Sequence, residues 1–310
     1  MTWRPSASLT IIQQRARVYR QIRAFFDARE CLEVDTALLS PTTNTDANIE
    51  SIKTSNLGQT FYLQTSPEFA MKRLLAAGSG SIYQIGHAFR EGEKGRRHHP
   101  EFTLLEWYRI GFDYQQLIDE IERLIDEVSG EKNHYQRVSY RQLVLDHIGI
   151  DIDKIELLSL RQKVDQLVSG TSSAALDIDQ CLDLLVSLVI APEIKGYVFV
   201  YDYPVSQAAL ARVKASNSKV AERFELFYNG LELANGFSEL CDSRQQRVRF
   251  EGDNNRRLAA GLEPYPIDEL LLSALDSGLP ECAGVAIGLD RLLMVLLGKN
   301  SIDQVLSFVD

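Results

Sequence analysis

Arg90, Arg96, Arg97, His98 and His99 crowd one turn of the chain, inside FREGEKGRRHHPEF. The segment that follows, EFTLLEWYR, alternates as a strand does. Phe102, Leu104, Glu106 and Tyr108 therefore share one face, and Thr103, Leu105, Trp107 and Arg109 the other. A carboxylate among large apolar groups is costly unless it is paired or solvated in a cleft. The same holds in LELANGFSEL, where Glu232 and Glu239 flank Asn235. Acids aimed at one sheet face suit a cation, either Mg2+ or an amine. For Glu106 alone, structural pairing with an arginine such as Arg90 is an equal alternative.

Two arginines add a second chemistry. Arg90 leaves a strand at the charged turn, and Arg291 follows Gly288 at the start of a helix. Guanidinium groups grip phosphate oxygens bidentately, and helix N-termini favour anions. The glycine pair in GVAIGLDR allows backbone to approach a ligand closely, although a tight strand-to-helix turn uses the same letters. Basic groups for phosphate beside acids for a metal or an amine predict an ATP-dependent activating enzyme.

The surrounding pattern predicts the elements that must position these residues. SLTIIQQRARVYRQIRAFFDAR carries Ile11, Val18, Ile22 and Phe25 at helical spacing. TFYLQTSPEFAMKRLLAAG reads as a strand and a helix, with Ser66 as N-cap and Pro67 as the first helical residue. GFDYQQLIDEIERLIDEVSG is an acidic amphipathic helix ending at Gly130, and the stretch from about Tyr135 to Pro192 reads as a helical insertion. ERFELFYNGLELANGFSEL is two strands joined at Asn229-Gly230, a strong hairpin signal. Hairpin-joined strands predict an α+β fold, an antiparallel sheet flanked by helices, in place of a βαβ layout.

Composition sets outer limits. The chain has 310 residues with 45% apolar content, enough for a sizeable core. Asp and Glu outnumber Lys and Arg by 43 to 33, a net charge of −10 that argues against broad nucleic-acid binding but permits a local basic groove. No secretory signal is visible in MTWRPSASLT, and the longest apolar run is too short to span a bilayer. Cys31, Cys181, Cys241 and Cys282 lack paired zinc spacing and fit buried, reduced thiols in a cytoplasmic protein.

Taken in order, three segments resemble the motifs of class II aminoacyl-tRNA synthetases. CLEVDTALLS is similar to motif 1, FREGEKGRRHHPEFTLLEWY to motif 2 and GVAIGLDRLLM to motif 3. RHHPEF and NGFSEL give the lysyl-tRNA synthetase flavour, and the likeness runs from about Leu9 to the end. It lies with the catalytic half of those enzymes. The motif 1 helix begins almost at the N-terminus, so residues 1–310 are expected to form a single catalytic domain with no anticodon-binding domain. TSPEFAMKRLL, ELANGFSEL and ECAGVAIGLDRL resemble the stand-alone elongation factor P–(R)-β-lysine ligase family. Where the lysyl pattern carries the middle glycine of motif 3, this chain and that family have alanine, here Ala286.

The resemblance implies a homodimer that uses ATP and Mg2+ and transfers (R)-β-lysine to elongation factor P, with no membrane and no tRNA involved. Arg90 and Arg291 are implied as the catalytic arginines. Glu91, Gly92, His99, Glu232, Leu233 and Gly288 are implied with them at ATP, and Glu232 and Glu239 at the metal. Ser66, Pro67, Glu68, Glu106, Tyr108, Glu239 and Ala286 are implied around the amino acid. Capping alone explains Ser66, and Glu68 also suits the helix dipole. Three departures stand out. The adenine-side acid is Gly92, so Glu91, Glu93 or backbone must substitute; the motif 2 asparagine is His99; the motif 1 proline is Ala37. A truncated lysyl-tRNA synthetase and a silent regulatory paralogue are the rival expectations.

Overall fold

The structure, a computed structural model, describes residues 3–309. It divides into two compact units. One comprises the residues up to Glu131 together with those from Ser238 onward, and the other is the continuous segment Lys132–Phe237.

The first unit opens with α1 (Leu9–Asp27), which starts where the Ser8 hydroxyl accepts from the Ile11 amide and buries Ile11, Val18, Ile22, Phe25 and Phe26. Strands β1 (Leu32–Glu33), β2 (Leu39–Ser40), β3 (Lys53–Asn56) and β4 (Gln59–Leu63) follow, of which β2, β4 and β3 form a small sheet. Helix α2 (Glu68–Ala76) begins later than the sequence predicts. Pro67 takes the cap position without a side-chain bond, and the Ser66 hydroxyl accepts from the Glu68 amide in a turn outside the helix. Strands β5 (Ile82–Phe89) and β6 (Glu101–Ile110) pair antiparallel around the charged turn, and β1 lies parallel to β5. Helix α3 (Tyr114–Ser129) is closed by an Asp113–Gln116 capping box and by Gly130 in the left-handed region. Trp107 packs edge-on against Phe26 of α1 and donates to Glu120 of α3 at 3.0 Å. The odd-numbered face of β6 is thus covered by helices, and the even-numbered face is available to the site.

The second unit contains β7 (Tyr135–Ser139), α4 (Tyr140–Ile148), α5 (Leu157–Leu167), α6 (Ile178–Leu185), β8 (Tyr197–Pro204), β9 (Val220–Tyr228) and most of β10 (Leu231–Ser238). Its strands run in the order β10-β9-β8-β7. The stretch read as helical from Tyr135 opens instead with a strand, because YQRVS finds a parallel partner in β8, a pairing that local pattern does not encode. Buried side chains including Leu143, Val144, Leu160, Val164, Leu182 and Leu185 give this unit its own core. Asn229 and Gly230 join β9 to β10 with both φ angles positive, 47° and 74°, the geometry the Asn-Gly pair predicts.

The chain then returns to the first unit through α7 (Ser243–Ala259), α8 (Glu269–Gly278), β11 (Cys282–Gly288) and α9 (Leu289–Leu296). Strand β11 pairs antiparallel with β6, giving the order β1-β5-β6-β11. The α+β architecture expected from the sequence is therefore present, with parallel pairing at β1–β5 and β7–β8. None of the four cysteines is in a disulfide; Cys241 is half-buried and the other three are buried.

Candidate active site

Side chains on the even face of β6 meet α2 and the residue that follows β10. Glu106 and Tyr108 lie on that face as alternation requires, and the Tyr108 hydroxyl donates to Glu106 Oε1 at 2.8 Å. Across β11, Ala286 stands opposite Glu106 and Gly284 opposite Tyr108, so Ala286 shares the face of Glu106. A Cβ on Gly284 would overlap the Tyr108 ring and Glu239 Oε1. That packing, and not a ligand's approach, explains why glycine is needed there. Glu239 is held by its amide, which donates to the Cys282 carbonyl at 2.9 Å. Lys72 completes the cluster. Its Nζ donates to Glu68 Oε1 at 2.7 Å, one helical turn away, and sits 2.5 Å from Glu239 Oε2.

The electrostatics of this pocket are unusual for carboxylates. Burial, reinforced by the charge of Glu68, pushes Glu106 up to about 8. Burial likewise pushes Glu239 up to about 8, with Lys72 opposing the shift. Burial works against the charge on Lys72, but Glu239 and Glu68 outweigh it and hold the ammonium well above the usual lysine range. Glu106 Oε2 and Glu239 Oε1 are buried without a hydrogen-bond partner, and such oxygens are expensive unless a ligand supplies the donor. Of the two readings open for Glu106, pairing with Arg90 is not what the structure has; its partner is Tyr108. With every carboxylate ionised, three negative charges (Glu68, Glu106, Glu239) face the one positive charge of Lys72, leaving two negative charges in excess.

The proposed phosphate arginines lie at the charged turn and at α9. Arg90 follows β5, reaches Glu93 Oε1 at 3.3 Å and stacks over Phe102 at 5.1 Å. Gly92 adopts φ +78°, a conformation that glycine takes readily. The Glu91 amide donates to the Glu50 carbonyl at 2.8 Å. His99 turns Nδ1 to the Glu101 carbonyl at 2.7 Å, so its second ring nitrogen is the one to offer a ligand. Gly288 caps α9, and Arg291 in the first turn of that helix places Nη2 2.6 Å from His98 Nε2 and Nε 3.3 Å from the Arg97 carbonyl. The helix is fixed by its neighbour Asp290. That buried carboxylate binds Arg15 of α1 at 2.5 Å and accepts from the Thr103 amide of β6 at 2.7 Å.

Glu232 and Leu233 belong to the second unit. The register of β10 against β9 slips between Glu232 and Ala234, so Leu233 is an extra, bulged residue. Without the slip, Glu232 and Asn235 would point to opposite faces. With it, they pair with Phe227 and Glu225, which share a face of β9. Arg223 joins this group, donating to Asn235 Oδ1 at 3.2 Å and to Glu225 Oε1 at 2.5 Å. Burial pushes Glu225 up to about 7, against the opposing charge of Arg223.

Among the described residues, no group of three or more His, Cys, Asp or Glu is arranged to hold a metal ion. Glu239 already has a cation in Lys72, so it suits the amino-acid side of the site better than a metal. Sequence reasoning missed Lys72 and Gln84. The first carried a signal in its i+4 spacing from Glu68. The second did not: Gln84 pairs in register with Glu106, and both its amide atoms are buried without partners, which only the strand pairing reveals.

The family described as class II tRNA synthetases (D, K and N) matches the chain over residues 1–310. A Vibrio cholerae protein named elongation factor P–(R)-β-lysine ligase is 47% identical over 315 residues, covering 99% of this chain and 97% of the relative. The protein of that name from Vibrio atlanticus is 46% identical over 316 residues, with 99% and 98% covered. The Klebsiella pneumoniae protein of the same name is 44% identical over 318 residues, with 99% and 97% covered.

Proposed function

Because this chain belongs to the class II tRNA synthetase family (D, K and N), we propose that it is an ATP-dependent ligase that activates (R)-β-lysine and transfers it to a lysine of elongation factor P. The observation that carries this reading is the charge of the amino-acid pocket. Two buried carboxylates with unpartnered oxygens, Glu106 and Glu239, suit a substrate with two ammonium groups. Names borne by relatives covering nearly the whole chain supply the isomer and the acceptor.

In the first step a carboxylate oxygen of the amino acid attacks the α-phosphorus of ATP, and pyrophosphate leaves. The nucleophile is already an anion, so no general base is required. Arg90 and Arg291 neutralise charge growing on the phosphate oxygens, and the pocket fixes the attacking carboxylate in line. Before they act, Arg90 must exchange Glu93, and Arg291 must exchange His98, for phosphate oxygens. Glu91, Gly92, His99, Leu233 and Gly288 are proposed around the nucleotide. Glu232 is proposed as the carboxylate that would help hold Mg2+, an ion that would offset the phosphate charge of ATP.

In the second step the neutral ε-amine of the acceptor lysine attacks the acyl carbon, and AMP leaves. A β-amine lies one carbon further from the carboxylate than an α-amine. Ala286, opposite Glu106, is proposed as the wall that favours the longer spacing. Replacement by glycine then lowers the preference for β- over α-lysine, as read by pyrophosphate exchange. The further proposals are a homodimer and a cytoplasmic location. Among the described residues, no helix is long and apolar enough to cross a membrane. The test is mass spectrometry of elongation factor P incubated with the protein, ATP and each lysine isomer. A mass gain of one lysyl group, largest with (R)-β-lysine, is expected; no gain with any isomer sinks the proposal.

A further inference from the structure

Lys72 lies in the amino-acid pocket, yet the proposed chemistry gives it no task. It is 1% exposed, and its ammonium contacts Glu68 and Glu239 at 2.7 and 2.5 Å. A buried lysine is retained only where its charge is fully compensated. Here the compensation uses one oxygen of each carboxylate and leaves Glu239 Oε1 without a partner. Without the ammonium, Glu68 and Glu239 would face each other as like charges in a poorly solvated site. They would then be driven apart.

We propose that Lys72 is a positioning residue that, with the carboxylates ionised, sets the excess charge of the pocket at two, holding Glu68 and Glu239 so that a substrate bearing two ammonium groups is the matching ligand. Lys72 thereby acts as a built-in third ammonium. It occupies the oxygens the substrate must not use and presents those it must. This inference rests on the amino-acid adenylation reading given above. It predicts a role in binding, with the α-phosphorus chemistry untouched.

The test is ATP–pyrophosphate exchange with (R)-β-lysine by the full chain and by Lys72→Ala, with and without n-propylammonium. That ion matches the atoms removed from Cγ to Nζ, and n-propanol is its uncharged control. The expected result is a KM raised about ten-fold or more with kcat changed less than about three-fold, consistent with loss of charge compensation in a buried site. Propylammonium restores KM and propanol does not. A lysine that merely fills space would be rescued by both or by neither, and either of those results, or an unchanged KM, overturns the proposal. If Lys72→Ala fails to fold, Lys72→Met keeps the volume without the charge and gives the same KM-against-kcat reading. Absence of exchange by the unmodified chain with every lysine isomer overturns the adenylation reading itself. Exchange by the unmodified chain with an unchanged KM in the variant overturns the role of Lys72 alone.

Discussion

Burial raises the Glu106 and Glu239 carboxyls to about 8, whereas two bound ammonium groups favour their ionised forms. Substrate binding must therefore release protons. Between about pH 6 and 8, KM for the diamino acid is expected to fall with rising pH, by up to about ten-fold per unit for each proton released. It rises again as the substrate amines, near pKa ~10, lose their own charge. A KM independent of pH across that range would show that the carboxylates are already ionised. Stability carries the opposite sign. A carboxyl with a usual value of 4.5 and a folded value near 8 binds more protons folded than unfolded between those values. The ligand-free protein therefore loses stability as pH rises through that window, and the Tm gain on adding substrate is larger at pH 8 than at pH 6. Gln84 separates stability from function in another way. Its unpartnered amide costs about 1–3 kcal/mol, so Gln84→Leu should leave Tm unchanged or raise it while KM increases. A lower Tm with unchanged KM would mark Gln84 as purely structural.

At the scale of elements, Asp290 anchors α9, and its neighbour Arg291 is left for the chemistry proposed above. Asp290→Ala leaves Arg15 partly buried without its carboxylate and frees the Thr103 amide. A loss of about 3–5 kcal/mol is expected in chemical denaturation, with weaker ATP binding because Arg291 loses its mount. Arg291→Ala removes the proposed phosphate contact and should reduce exchange by about 100-fold or more with little change in Tm. Position 284 joins strand and pocket. Gly284→Ala sets a methyl against Tyr108 and Glu239, an overpacking that costs about 1–3 kcal/mol and should raise KM.

At the scale of the molecule, each unit has a core of its own, and calorimetry is expected to resolve more than one transition. Elements written within a few residues were legible in the sequence: the helical spacing of α1, the Asn229-Gly230 turn and the face shared by Glu106 and Tyr108. What was not legible depends on distant partners. β7 is a strand because β8 lies beside it, although its sequence suits a helical run. The i+4 spacing of Lys72 from Glu68 is written locally, but its burial against Glu239, far along the chain, is not. The need for glycine at 284 follows from side chains on two other segments.

The extra residue at Leu233 has a consequence for how β10 tolerates change. The strand counts in twos up to Glu232 and again from Ala234, with the beat displaced between them. A complete substitution scan along β10 should therefore alternate between permissive and intolerant positions, then skip a step at Leu233 and resume out of phase. Removing Leu233 would restore an unbroken rhythm while turning Glu232 away from Asn235, so the more regular strand would be the less active one.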